Sequence, residues 1–290
     1  MIRKTIMFQG TSSNVGKSVL ATAFCRIFYQ DGYKTAPFKS QNMTRISAVA
    51  SDGGEIGSAQ VIQAEAAGIK PTVDMNPILI KPKQGMQAQI IVRGKPIGDM
   101  SAKDYRNDYL PKAENIILES LNRLKDEYEI LVIEGAGSPV EVNLKNRDIA
   151  NMKVAELADA PVFLVADIDR GGVFASLIGT LELLELNERD RVKGFIINKF
   201  RGDMEILKPG LDFLKKRTGK EVLGVIPYIH DHGIEEEDSV CTSEHKAGGN
   251  TDDLIYVSQK EKSYDKVAEI VRNAVDVGKI YKTMDINHNS

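Results

Sequence analysis

The stretch Thr5-Ile-Met-Phe-Gln-Gly10-Thr-Ser-Ser-Asn-Val-Gly16-Lys17-Ser18 decides the fold. Thr5–Gln9 reads as a short buried strand, Lys17–Gln30 carries a helical pattern, and a loop bounded by glycines joins them. Such a loop closes backbone N–H groups around phosphate oxygens, while Lys17 neutralises the outer phosphates and the Ser18 hydroxyl suits Mg²⁺. Gly10, Thr11, Gly16, Lys17 and Ser18 are therefore candidate nucleotide contacts. Five residues rather than four separate Gly10 from Gly16, a departure from the strict pattern by one. A glycine-rich turn opening an ordinary helix is the bland alternative; the matching strand and helix weigh against it.

Outward from this loop, further strands are expected at Thr35–Phe38, Ile130–Glu134, Val162–Ala166, Gly194–Asn198 and Val222–Ile226. Helices are expected at Ala102–Lys125, Ile149–Ala158, Val173–Leu186 and Met204–Thr218. The alternation predicts an α/β fold, a P-loop NTPase-like, mostly parallel sheet flanked by helices. Gly10, Lys39, Glu134, Asp167 and Asn198 all fall at or just beyond the carboxyl ends of strands, the edge where open α/β sheets bind ligands. Glu134 closes an apolar strand and is followed by Gly-Ala-Gly137, so its carboxylate is placed to hold Mg²⁺. Asp52-Gly-Gly-Glu55 adds two carboxylates among glycines, read almost equally well as a polar turn. Asn198 is expected to read an adenine edge. The segment from Gln41 to Met100, rich in Gly, Gln and Pro, reads as an elaborated loop region over the site. Past Pro227 come an acidic run, a polar linker around Cys241–Asn250, and a last helical pattern at Tyr264–Met284.

Composition narrows the class. The chain of 290 residues, 42% hydrophobic and 27% charged, has a net charge of −3, which argues against a surface built for nucleic acid or an anionic membrane. An anionic ligand must then be met by a local cluster of cations. Two cysteines, Cys25 and Cys241, support neither a disulfide framework nor a paired-cysteine metal site, and a cytoplasmic location is expected. Of the four histidines, His230 and His232 read as loop residues.

Several motifs together resemble cobyric acid synthase: Pro37-Phe-Lys-Ser-Gln-Asn-Met43, Asp52-Gly-Gly-Glu-Ile-Gly57, Met75-Asn-Pro-Ile-Leu-Ile-Lys-Pro82, Glu134-Gly-Ala-Gly-Ser-Pro139, Asp167-Ile-Asp-Arg-Gly-Gly-Val-Phe174 and Ile197-Asn-Lys-Phe-Arg-Gly-Asp203. The resemblance runs nearly unbroken from Met1 to about Asp238. It implies a dethiobiotin-synthetase-like domain that uses ATP and Mg²⁺ to amidate peripheral carboxylates of adenosylcobyrinic acid a,c-diamide through acyl phosphates. It also implies that Lys17 and Ser18 serve the phosphates and metal, that Asp52 and Glu134 hold Mg²⁺, and that Lys39 lies near the transferring phosphate. Related synthetase domains suggest a homodimer. Lys81, Lys83, Arg93 and Lys95 are expected to form a basic cluster that steers the corrin, with solvated loop lysines as the alternative.

Relatives of this family continue into a glutaminase whose cysteine sits on a Gly-X-Cys-X-Gly-like elbow; Cys241 lies in Val-Cys-Thr-Ser-Glu instead. The expected division is a synthetase domain at 1–238, a linker at 239–263, and a C-terminal helix and tail at 264–290 left from a truncated glutaminase region. Ammonia from a separate glutaminase would then be the nitrogen source. A partition-type ATPase switch is one rival reading, but Thr11, Ser12 and Ser13 occupy the stretch where those proteins carry a second signature lysine. A silent remnant that still binds nucleotide or corrin is the other.

Overall fold

The computed structural model describes residues 4–85, 87–101, 105, 110–230 and 252–286. Its centre is a parallel sheet of six strands, β1 (Lys4–Gly10), β2 (Thr35–Phe38), β9 (Ile130–Glu134), β10 (Val162–Asp167), β11 (Val192–Phe200) and β12 (Glu221–Pro227). They lie in the order β12-β11-β10-β1-β9-β2, and every neighbouring pair is parallel. All six expected strands are present. β9 shows why these runs are apolar throughout: Ile130 and Val132 face one core cluster, while Leu131 and Ile133 face the other. A strand covered on both faces has no solvent side to keep polar.

One face is covered by α1 (Lys17–Gln30) and by two C-terminal helices, α8 (Asp252–Ala274) and α9 (Val277–Thr283). Phe8, Phe24, Phe28 and Tyr281 form a continuous ring stack there, with successive centroids 4.8, 5.6 and 5.4 Å apart. The other face is covered by α3 (Leu110–Glu127), α4 (Met152–Ala158), α5 (Val173–Leu183) and α7 (Met204–Thr218). The segment expected as one helix to Leu186 ends at Leu183, and a short helix α6 (Leu186–Arg191) starts anew. Glu185 and Glu188 form a reciprocal capping box at that restart, satisfying donors that a continuous helix would not leave open. α4 begins at Met152 rather than Ile149, because Asp148 Oδ1 accepts from the N–H groups of Ala150 and Asn151. The expected start of α3 at Ala102 falls outside the described residues.

Two expectations need correction. The segment from Gln41 to Met100 is not mainly loop: β3 (Gln41–Met43), β6 (Ile78–Pro82), β7 (Gln87–Val92) and β8 (Lys95–Ser101) make a second sheet in the order β3-β6-β7-β8. A hairpin of β4 (Ser47–Val49) and β5 (Glu55–Gly57), followed by α2 (Ser58–Ala66), completes it. Strands of three to seven residues are held by pairing between distant segments, such as Gln41 with Ile78, and short runs carry little periodicity. The second correction concerns the C-terminal helix, which starts at Asp252 inside the expected linker and breaks after Ala274. Val275 bridges to Gly224 of β12, the Asp276 N–H donates to the Leu223 carbonyl (2.7 Å), and Asp276 Oδ1 caps α9 through the Lys279 N–H. Tyr264, Val267, Val271, Ile280 and Tyr281 of this segment pack in the same core cluster as Phe24 and Phe28 of α1.

Candidate functional site

The loop between β1 and α1 opens onto the carboxyl edge of the sheet, where β1 lies between β9 and β10. Its glycines are required by backbone conformation and close approach. Gly16 has φ +96°, a conformation that side-chain-bearing residues rarely adopt, and a Cβ on Gly10 would lie 2.7 Å from the Ser12 carbonyl oxygen. Asn198 at the end of β11 donates from Nδ2 to the Val15 carbonyl (2.9 Å), and Lys199 donates to the Asn14 carbonyl (2.7 Å). The loop is thus pinned from β11. The Asn198 amide nitrogen, expected to read a base edge, spends one of its two N–H donors on shaping the loop. Thr11 gives its N–H to the Val165 carbonyl (2.9 Å) and does not line the cavity.

A cavity of 650 Å³ lies over the loop. Among the described residues, Lys17, Lys39, Arg170 and Lys199 line it together with a single carboxylate, Glu134. This is the local cation cluster that an anionic ligand of an acidic protein demands. Lys17, buried at 7% exposure, donates to the carbonyls of Ser12 (3.0 Å) and Gly137 (3.2 Å), so its ammonium is held across the loop mouth. Glu134 at the end of β9 is 2% exposed. Ser18 Oγ donates to its Oε1 at 2.7 Å, Lys39 Nζ lies 3.1 Å from the same oxygen, and Gln63 of α2 donates to Oε2 at 2.7 Å. Burial alone would push the Glu134 carboxyl up. The Lys39 charge, the hydrogen bonds from Ser18 and Gln63, and the Lys17 charge outweigh it, and the group sits below the usual carboxylate range. Glu134 is therefore ionised at neutral pH.

Mg²⁺ fits this donor set. A hydroxyl and an ionised carboxylate 2.7 Å apart are hard oxygen ligands, and Mg²⁺ is usually held by one or two protein oxygens with phosphate and water completing the octahedron. Asp52 is not brought to this place. It sits at the tip of the β4–β5 hairpin, where Oδ2 accepts from the Val73 N–H (3.0 Å), and it does not line the cavity. Its partner in the motif, Glu55, is held by Ser47 and Lys81.

Three of the four members of the expected basic cluster, all but Lys95, are paired with nearby carboxylates. Lys81 pairs with Glu55, Lys83 with Asp99 at 2.8 Å, and Arg93 with Glu119 and with Asp74 at 3.7 Å. Gln63, Arg170 and Tyr228 were not singled out from sequence, although Arg170 lies in a quoted motif. Gln63 carries no signal, since a buried glutamine in a helix is read only from its partner. Cys25 is fully buried, and that burial, with a smaller contribution from Glu134, pushes its thiol up, so it holds its proton and is no nucleophile. Cys241, His232, His245 and His288 fall outside the described residues; His230 packs on Tyr228, centroids 4.9 Å apart.

No described helix is long and apolar enough to cross a membrane. The CobQ/CobB/MinD/ParA nucleotide binding domain family matches residues 6–239. Among curated relatives, the chain is 68% identical over 245 residues to a cobyric acid synthase of Desulforamulus reducens, covering 84% of this chain and 48% of that protein. It is 54% identical over 288 residues to a cobyric acid synthase of Dehalococcoides mccartyi, covering 98% and 57%. The chain spans about half the length of the curated relatives it matches. It also aligns with a chain of the MinC:MinD cell division protein complex of Aquifex aeolicus over 99% of this chain and 98% of that one, at 11% identity and a TM-score of 0.48. With the pinned loop, its lysine and the carboxylate of β9 gathered around one cavity, the chain belongs to the CobQ/CobB/MinD/ParA nucleotide-binding domain family and is a homologue of part of cobyric acid synthase.

Proposed function

We propose that the chain is the amide-forming part of a cobyric acid synthase, activating peripheral carboxylates of adenosylcobyrinic acid a,c-diamide with ATP for amidation by ammonia. The observation that carries this reading is the convergence of Lys17, Lys39, Ser18 and Glu134 on one cavity at the sheet's carboxyl edge. A carboxylate resists ammonia because it is anionic and oxide is a poor leaving group. In the reaction, a carboxylate oxygen attacks the γ-phosphorus, the bond to the β–γ bridging oxygen breaks, and ADP leaves. Ammonia's lone pair then attacks the acyl carbon, the carbon–oxygen bond to phosphate breaks, and the nitrogen releases a proton as phosphate departs.

This chemistry asks the protein for position and positive charge rather than a nucleophile. Lys17 and the loop N–H groups hold the phosphates, and Lys39 faces the transferring group from the end of β2. Glu134 and Ser18 would hold Mg²⁺, which when bound neutralises charge on the phosphate oxygens. Gln63 fixes the Glu134 carboxylate so that its other oxygen stays directed at Ser18.

The test is mass spectrometry of the corrinoid after incubation with the purified chain, MgATP and either ammonium or glutamine. Ammonium-dependent conversion of carboxyl to amide is expected, with no glutamine-dependent conversion, and the rate should climb with pH as neutral ammonia becomes available. ATP hydrolysis without amide would favour a nucleotide switch, and tight binding of both ligands without turnover a silent relative. Efficient glutamine use would show that a glutaminase site had been missed.

A further inference from the structure

Beside the phosphate cavity lies a second one of 420 Å³, which nothing above assigns. Its walls are largely apolar: Ile80, Ile90 and Met100 from the small sheet on one side, and Pro139, Leu144 and Ile149 from the segment after β9 on the other. Met43 and Ala136 line both cavities, so the two share a boundary at the ends of β3 and β9. Ser40 fastens that boundary by donating to the Ile149 carbonyl (2.7 Å), and Asn151 fastens it by donating to the Ala136 carbonyl (2.7 Å).

The charges at this second cavity are unequal in availability. Lys145 is occupied by Glu185 (2.9 Å) and Glu188 (3.1 Å), and Asp148 by the N–H groups of Ala150, Asn151 and Lys153. Arg147 is exposed and makes no ion pair among the described residues. Glu141 also lines the rim, so the site is not uniformly positive. An apolar slot with an exposed guanidinium at its rim, opening beside the γ-phosphate position, fits a flat apolar ring edge that carries carboxylates.

Resting on the function proposed above, we infer that this cavity seats one edge of the corrin macrocycle, with Arg147 anchoring a carboxylate while a neighbouring one reaches past Ala136 to the phosphate. Holding an edge rather than enclosing the ring lets the substrate be reseated with another carboxylate forward. The small sheet, read as loop from sequence, is on this account the substrate wall.

The experiment is equilibrium dialysis of adenosylcobyrinic acid a,c-diamide, followed by its visible absorbance, against wild type, Arg147→Ala, Arg147→Lys and Leu144→Trp. Leu144 and Arg147 are exposed enough for the fold to survive. Arg147→Ala and Leu144→Trp should each weaken corrinoid binding about tenfold or more, with Arg147→Lys recovering part of the loss. Arg147→Ala should also flatten the salt dependence, and affinity for a non-hydrolysable ATP analogue should not change. Lys17→Ala should show the reverse pattern. If wild type binds the corrinoid but neither variant alters its affinity by more than twofold, the placement is overturned and the proposed function stands. If wild type binds no corrinoid, both fall together.

Discussion

At the residue scale, Lys17 and Glu134 carry opposite tasks at one cavity. Lys17→Ala is expected to lower ATP-dependent turnover by about two to three orders of magnitude, on the scale of losing one preorganised electrostatic donor. The melting temperature should change little, because Lys17 Nζ donates to the Ser12 and Gly137 carbonyls at the cavity mouth and the side chain belongs to neither apolar core cluster. Turnover that persists in a folded variant would remove the phosphate-loop assignment. Glu134→Gln should raise the Mg²⁺ concentration for half-maximal activity by about tenfold, since a neutral amide is a poorer ligand for a hard cation. Titration of activity with Mg²⁺ checks this. Asp52→Asn should leave that titration where it was, because Asp52 is bonded to Val73 at the hairpin tip. A parallel rise would mean that the β4–β5 hairpin closes over the site when nucleotide binds.

At the scale of elements, the contact between α1 and the C-terminal helices is cross-tied by polar groups. Tyr281 of α9 donates to Asp31 at 2.6 Å, Arg272 of α8 donates to the same carboxylate at 3.0 and 3.2 Å, and Arg26 of α1 is bound by Asp265 and Glu261, both at 2.7 Å. Burial first, and the Asp31 carboxylate second, push the Tyr281 phenol above its ordinary value of 10.0. A group whose pKa is raised by folding stabilises the fold fully below its unfolded value, and that contribution is lost as pH rises toward the folded one. Tyr281→Phe should therefore cost about 1 kcal/mol at neutral pH and flatten the fall in stability above pH 10.0. Urea melts across that alkaline range would read both effects, and an unchanged slope would show that the phenol does not titrate with unfolding.

At the scale of the molecule, both faces of the sheet must be covered. Residues 264–286 supply Tyr264, Val267, Val271, Ile280 and Tyr281 to the same core cluster as Phe24 and Phe28 of α1. Deleting residues 252–290 should expose that face and lower the melting temperature by about 10 °C or more, or make the protein aggregate. Calorimetry of the shortened chain decides it. A shortened chain that melts with the full one would show that the C-terminal helices are an appendage after all. The same covering explains why the whole sheet is apolar while the ligand edge is not. Strand interiors of the six-stranded sheet meet helices on both sides, and the phosphate cavity is lined from the carboxyl-end side, including Glu134 of β9, Asn198 of β11 and Tyr228 just after β12.

The sequence by itself determined the six core strands, the phosphate loop, and the positions of Lys17, Lys39, Ser18 and Glu134 at the edge where ligands bind. Those features are local: a run of β-branched residues, a glycine spacing, a polar residue directly after a strand. Only the tertiary structure decided that Gln63 holds Glu134, that Asn198 braces the loop, that Asp52 stands apart, and that Lys81, Lys83 and Arg93 are spent on nearby carboxylates. It also decided that Gln41–Met100 forms a sheet. Each of these depends on which distant segment arrives opposite a residue, as Gln63 meets a carboxylate 71 positions along the chain. A residue's own type and spacing carry no record of that partner.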